Sequence, residues 1–133
     1  MSALLEQFQS SDLSRNPARA FSAAEQSPIL VTRRDGEDLV LMTESEAGAR
    51  RKLLELAAIL IAVTTDDRGS LSSRMANKFS WMMALSEKDR ELCSQNLVDA
   101  ARASFATGQA HLALAELLAW EETATAIAAG LGK

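Results

Sequence analysis

Residues 13–47, LSRNPARAFSAAEQSPILVTRRDGEDLVLMTESEA, carry the clearest structural signals of this chain. It holds two apolar, β-prone runs, 29–32 and 39–42, on either side of RRDGED. Asp35-Gly36 favours a turn because glycine adopts a positive φ without steric cost, so the pattern predicts a β-hairpin. Both runs are almost continuously apolar, which indicates that both faces of the strands are covered. Helices of the same subunit are expected on one face, and a second subunit is the candidate for the other.

Helical signals precede the hairpin. Asn16 fits an N-cap and Pro17 the first helical position, where a missing amide donor does no harm. This helix is expected to end near Gln26, before the next proline. A shorter helix is expected ahead of it, because an apolar stripe at helical spacing is formed by Leu4, Leu5 and Phe8.

A long helix is predicted after the hairpin. Thr43 and Glu46 have the spacing of a capping box, in which each side chain reaches the backbone amide of the other residue. The helix becomes strongly apolar towards its end and must pack against a substantial surface, for which the second half of the chain is the candidate. Its apolar residues are Leu53, Leu54, Leu56, Ala57, Leu60 and Ile61.

The second half of the chain has the pattern of an all-helical region. The loop TTDDRGS, residues 64–70, is the best internal boundary because it combines charge, glycine and serine between apolar segments. Beyond it, Ser86 fits a helix cap and Gly108 a helix separator. The predicted fold class is α+β, with a module of helices and a β-hairpin at 1–63, a linker at 64–70 and an all-α region at 71–133.

Composition narrows the function classes. The chain has 133 residues, of which 47% are hydrophobic, and it has one cysteine and one histidine, which excludes an internal disulfide framework and a Cys/His zinc site. It lacks an apolar run of bilayer length and a signal-peptide pattern, so a cytoplasmic protein without membrane association is expected. No phosphate-binding glycine loop, catalytic triad or metal motif is present, which predicts a protein that is not an enzyme and uses no cofactor.

Charge by itself argues against nucleic-acid binding, because the net charge is −4 and residues 1–50 hold five arginines against eight acidic residues. The arginines are nevertheless grouped, with Arg15 and Arg19 in one pair and Arg33 and Arg34 in another. Such pairs can bind phosphates or guanine edges. The alternative is a solvated surface with salt bridges to acidic neighbours, which are Asp12 and Glu25 for the first pair and Asp35, Glu37 and Asp38 for the second.

Taken in order, LSRNPARAF, a short spacer and ILVTRRDGEDLVLMTESEA resemble the prevent-host-death (Phd/YefM) antitoxin family. In that family a Ser-Arg-Asn element opens a short helix, and an apolar strand ends in Thr-Arg before a turn, a second apolar strand and an acidic or serine-rich helix start. Ser14-Arg15-Asn16 and Val31-Thr32-Arg33 stand at those places here. The resemblance covers residues 4–60, less than half of the chain.

The resemblance implies a bacterial type II antitoxin. Such a protein binds and neutralises a cognate protein toxin, and it represses its own operon as a DNA-binding homodimer or higher even oligomer. The residues it implies for contact with operator DNA are Arg15, Asn16, Arg19, Thr32, Arg33 and Arg34. The alternative is a non-enzymatic protein-interaction adaptor that uses the dimer module without DNA binding.

A partner surface is expected in the second half, which looks folded in advance of binding. Trp81, Met82 and Met83 cannot all turn inward on one helix, because successive residues are about 100° apart, so part of this run is expected to face a toxin or another subunit together with Trp120. Core packing is the alternative for these residues. Cys93 and His111 are expected to be core or boundary residues, since neither has a partner for nucleophilic chemistry nearby in sequence.

Overall fold

The computed structural model describes residues 5–131, whose contacts divide them into two units, 5–48 and 49–131. The described residues hold six α-helices, one short 3₁₀ helix and one three-stranded sheet, so the predicted mixture of helix and strand is confirmed, with helix predominating. In chain order the elements are β1 (Glu6–Gln9), α1 (Ser10–Arg15), α2 (Pro17–Gln26), β2 (Ile29–Thr32), β3 (Leu39–Leu41), α3 (Glu44–Thr65), α4 (Leu71–Lys78), the 3₁₀ helix (Ser80–Ala84), α5 (Glu87–Thr107) and α6 (His111–Ala128).

The N-terminal unit is built on a sheet of order β1-β2-β3. β2 and β3 are antiparallel and form the predicted hairpin, although Met42 lies beyond the end of β3. β1 is parallel to β2, with Phe8 opposite Val31. The helix expected at the start of the chain is therefore wrong within the described residues, and Leu4 lies outside them. A four-residue strand carries little local signal, and its pairing with a segment more than 20 residues away decides its conformation.

A small core holds this unit together. Alternate residues of β2 point to one face, where the i and i+4 alanines of α2 cover them. The opposite face, to which Val40 of β3 points, remains open in the single chain, since Val40 is 48% exposed. Leu39, opposite the buried Val31, is also about half exposed. The buried residues of this cluster are Phe8, Ala20, Ala24, Ile29 and Val31.

Two predicted helix starts are found where the sequence indicates them. α2 has Pro17 at its first position and ends at Gln26, but the Asn16 side chain makes no capping hydrogen bond. Thr43 does cap α3, because its Oγ1 accepts a hydrogen bond from the Glu46 amide at 3.0 Å. Sequence spacing identifies both positions, whereas the side-chain bond depends on the local backbone, which at Asn16 has φ −144° and ψ 67°.

The division between the units lies inside α3, between Gly48 and Ala49, and not in the loop at 64–70. Contacts place it there because the later turns of α3 contribute Leu56 and Leu60 to the helical core. The loop itself, 66–70, is held to its neighbours. Arg74 donates hydrogen bonds from Nε to the Val63 carbonyl at 2.8 Å and from Nη1 to the Gly69 carbonyl at 2.6 Å.

Residues 71–131 form helices joined by short connections and contain no strand, as predicted. Ser86 caps α5 by accepting a hydrogen bond from the Asp89 amide at 3.1 Å, and Gly108 ends that helix with φ 69°, a conformation that favours glycine. The buried residues of its core are Leu56, Leu60, Val63, Met75, Ala76, Met82, Leu85, Cys93, Leu97, Ala101, Ala113 and Ala124.

α3 is less buried than its apolar sequence indicates. Leu56, Leu60 and Val63 lie in the core, but Leu54 is 72% and Ile61 64% exposed. A helix that is apolar on nearly all sides can turn only part of its surface towards one core, so a second apolar stripe is left outside. None of the helices within 5–131 has the length and apolarity needed to span a membrane.

Candidate nucleic-acid and partner interfaces

Arg33 and Arg34 extend from the end of β2 into the hairpin turn. Arg33 Nε donates a hydrogen bond to the backbone carbonyl of Glu37 at 2.9 Å, which closes the turn. The guanidinium lies over Gly36, where a Cβ would come 2.5 Å from Arg33 Nη2, so glycine leaves it room. Both arginines are exposed, and within residues 5–131 neither forms an ion pair with Asp35, Glu37 or Asp38.

The first arginine pair is exposed as well. Arg19 places its guanidinium 5.7 Å from the centre of the Phe8 ring, a cation–π contact, and Arg15 ends α1 with no ion pair in the described part of the chain. The expected alternative partner Asp12 is engaged elsewhere, because its Oδ2 accepts a hydrogen bond from the Gln9 amide at 2.8 Å.

The sheet connects these two groups. β1 and β2 are parallel with Gln9 opposite Thr32, so the segments that follow each strand leave from the same edge. Thr32 Oγ1 donates a hydrogen bond to the Phe8 carbonyl at 3.4 Å, and Phe8 carries the Arg19 guanidinium on its ring. Thr32 is therefore half-buried and links β2 to β1 through its side chain, while Asn16 is exposed at the start of α2.

The N-terminal unit also exposes apolar side chains. Phe21 of α2 is 52% exposed, and Leu39 and Val40 of β3 are 49% and 48% exposed. β3 is an edge strand, and no strand among residues 5–131 pairs with its outer side. A free edge with apolar side chains is a common site of pairing with another chain.

The expected partner residues of the C-terminal unit fall mostly in its core. Met82 is completely buried and cannot touch a partner. Trp81 packs against Phe79 with ring centres 5.7 Å apart, and Trp120 is half-buried with its Nε1 donating to Glu116 Oε1 at 3.0 Å. Only Met83, 63% exposed, faces outward. The members of the Trp-Met-Met run thus face different sides, as expected, and the fold decides that Met83 is the exposed one.

Cys93 is a core residue, as expected. It is completely buried, and burial together with the negative charge of Glu116 raises the pKa of its thiol to about 12. The thiolate is thus strongly disfavoured at neutral pH, which excludes a reactive nucleophile. The core or boundary prediction is wrong for His111, which is exposed at the first position of α6. No group of three or more His, Cys, Asp or Glu side chains suited to a metal ion occurs among residues 5–131.

An apolar groove of about 460 Å³ between α3 and α5, in the C-terminal unit, was missed by the sequence reasoning. Its signal is present in the sequence as the excess of apolar residues on α3, which exceeds what one core-facing stripe needs. The second wall of the groove belongs to α5, and the sequence of α3 alone does not predict that α5 lies opposite it. The main side chains of its walls are Ala57, Leu60, Ile61, Ala101, Arg102 and Phe105.

Comparisons of the chain with protein-family models, with curated proteins and with solved structures return no match. The function proposed below therefore rests on the residues, their geometry and the resemblance drawn from the sequence.

Proposed function

We propose that this protein is an antitoxin-type regulator of the prevent-host-death kind, which binds operator DNA as a homodimer through its N-terminal unit and binds a protein toxin through its C-terminal unit. The observation that carries the DNA-binding part is the state of the hairpin arginines. Arg33 is held by a backbone carbonyl and Arg34 has no hydrogen bond or ion pair among the described residues, so neither positive charge is neutralised by direct contact.

A homodimer strengthens the DNA-binding proposal. A twofold axis places a second copy of each arginine pair on the same assembly, which doubles a local positive surface on an acidic molecule. The free edge of β3 and the exposed side chains Phe21, Leu39 and Val40 supply an apolar surface on which two copies can associate. The N-terminal unit is itself acidic, with four arginines against eight acidic residues in 5–48, so DNA binding depends on direct contacts of the exposed arginines with phosphates or bases and not on overall charge.

The test is a fluorescence-anisotropy titration of the protein against the DNA directly upstream of its own reading frame, at several salt concentrations. We expect Arg33→Ala/Arg34→Ala to weaken binding at least about tenfold, because each lost arginine contact removes on the order of 1–3 kcal/mol. The slope of log affinity against log salt should fall by about 2 per protomer, since each lost phosphate contact removes about 0.9.

The control is Lys78→Ala/Lys88→Ala, which removes the same charge from exposed positions of the C-terminal unit. It should leave the affinity within about twofold of the wild type, because neither lysine is among the residues proposed to contact DNA. An unchanged affinity in the Arg33/Arg34 variant would remove those residues from the site. Failure of the wild type to bind its upstream DNA at low salt would replace the repressor by the adaptor function.

The toxin-binding part is tested by co-expression with the product of a neighbouring reading frame. The antitoxin function requires that this product is toxic when expressed alone and co-purifies with the protein. The adaptor function requires neither result. The overall acidity of the chain and the apolar groove on its helical unit are the features that favour the adaptor as the second candidate.

A further inference from the structure

The groove between α3 and α5 is elongated and open. Its α3 wall runs through Ala57, Ile61 and Thr64 at spacings of three and four residues, which are successive turns of one helical face. Leu54 lies two turns before Ile61 on that face and is 72% exposed. From Leu54 to Ile61 the apolar stripe therefore extends over about 10 Å of α3, counted at 1.5 Å per residue.

The opposite wall is the exposed side of α5. Phe105 is 46% exposed, whereas Ala101, one turn earlier, is buried. Ile61, on the facing wall, is 64% exposed. Side chains this exposed do not enclose a small molecule, which ordinarily loses most of its surface to its pocket. Both walls are helices, whose backbone groups are already paired, so an added β-strand has no edge to join.

Arg102 supplies the charge that identifies the occupant. It is the one charged side chain among the groove-lining residues, and within 5–131 it has no hydrogen bond or ion pair. Asp99, one helical turn before it, is engaged by Gln95, whose Nε2 donates to Asp99 Oδ1 at 2.9 Å. A guanidinium beside apolar surface is best complemented by a carboxylate, which it can bind through two parallel hydrogen bonds.

We infer that the α3–α5 groove binds an amphipathic helix of a protein partner, with the apolar face of that helix between Ile61 and Phe105 and an acidic side chain paired with Arg102. The inference rests on the partner-binding half of the proposed function and is independent of DNA binding. A partner helix docks in such a groove through its own apolar residues at positions i, i+3 or i+4, and i+7, which lie on one face of that helix. The residues that line the groove recur at the same spacings of three and four along α3 and α5.

The test uses the full chain and fluorescently labelled, alanine-rich helical peptides of about 15 residues with leucines at those spacings. One glutamate is moved through each position beside the leucine stripe, and matched peptides carry glutamine or lysine there. We expect the best glutamate peptide to bind about tenfold more tightly than its glutamine counterpart, because the glutamate gains a charged hydrogen bond to Arg102. The lysine peptide should bind most weakly, because its positive charge is repelled by Arg102.

Variants of exposed residues locate the site without disturbing the core. Arg102→Glu should reverse the preference, so that the lysine peptide binds more tightly than the glutamate peptide. Ile61→Ser/Phe105→Ser should abolish peptide binding, whereas Leu112→Ser/Leu118→Ser, which removes two exposed apolar side chains outside the groove, should leave it unchanged.

Three results would overturn the inference. One is that no glutamate peptide binds below millimolar concentration, and another is that glutamate and lysine peptides bind equally. The third is that Ile61→Ser/Phe105→Ser lowers the oligomeric state in sedimentation without any peptide, which would make a second copy of the chain the occupant. Failure of the DNA titration leaves the peptide result unaffected, because Arg33 and Arg34 lie outside the groove.

Discussion

The two units expose different kinds of group to solvent. In the N-terminal unit these are the hairpin arginines and the edge of β3, and its buried apolar cluster has five residues. In the C-terminal unit they are apolar side chains on α3 and α5, beside a buried cluster of twelve. The first surface therefore suits charged, salt-sensitive recognition, whereas the second suits burial of a partner's apolar face.

The largest expected effect tests whether the two cores are separate. Leu97→Ala should destabilise the C-terminal unit by about 2–5 kcal/mol, because it opens a cavity in a completely buried position of α5. Urea unfolding followed by tryptophan fluorescence reports this unit alone, since Trp81 and Trp120 both belong to it. Ile29→Ala in the sheet core should leave that fluorescence transition in place and lower the protection of amide hydrogens in 5–48.

The matched control on α5 is Leu92→Ala, at a position that is 51% exposed, and its effect should stay within about 0.5 kcal/mol. If Ile29→Ala shifts the tryptophan transition as far as Leu97→Ala does, then the two units unfold as one and the comparison of separate cores is wrong.

An intermediate effect on stability is expected from the two helix starts predicted in the N-terminal unit. Thr43→Ala should cost about 1 kcal/mol, because it removes the hydrogen bond that Thr43 Oγ1 accepts at the start of α3. Asn16→Ala should change stability by less than about 0.5 kcal/mol, because the Asn16 side chain makes no capping bond. Thermal or urea unfolding of the two variants, side by side, measures the difference, and equal losses would contradict it.

The smallest effect at neutral pH concerns Cys93. Its thiol should react with a maleimide at pH 8 only after unfolding, because it is buried and its pKa is raised to about 12. The folded state holds the proton more tightly than the unfolded state, whose thiol ionises near its ordinary value of 9.0. Its contribution to stability is therefore complete below pH 9 and is lost as the pH rises towards 12.

The control for that pH dependence is Cys93→Ala, in which the additional loss of stability above pH 9 should disappear. Labelling of the native wild-type protein at the rate of a free thiol would show that the core around α5 opens without global unfolding. That result would contradict the expectation that the larger core of the C-terminal unit stays closed in the native state.

Patterns confined to a few neighbouring residues were predictable. The hairpin follows from two apolar runs around Asp35-Gly36, and the start of α5 follows from Ser86. β1 was not predictable, because its conformation depends on β2, a distant segment. For the site, exposure of the hairpin arginines was predictable from their place in a turn. The burial of Met82 and the groove beside Arg102 were not predictable, because both depend on which helices face each other.

The hairpin, the ends of α2, the cap of α3 and the helical character of residues 71–131 follow from local sequence, because turn residues, caps and hydrophobic spacing act over a few bonds. The pairing of β1 with the sheet, the unit boundary inside α3 and the open apolar groove beside Arg102 follow from the tertiary fold. Those features arise from pairing and packing between segments distant in the chain, where burial and not local propensity sets the outcome.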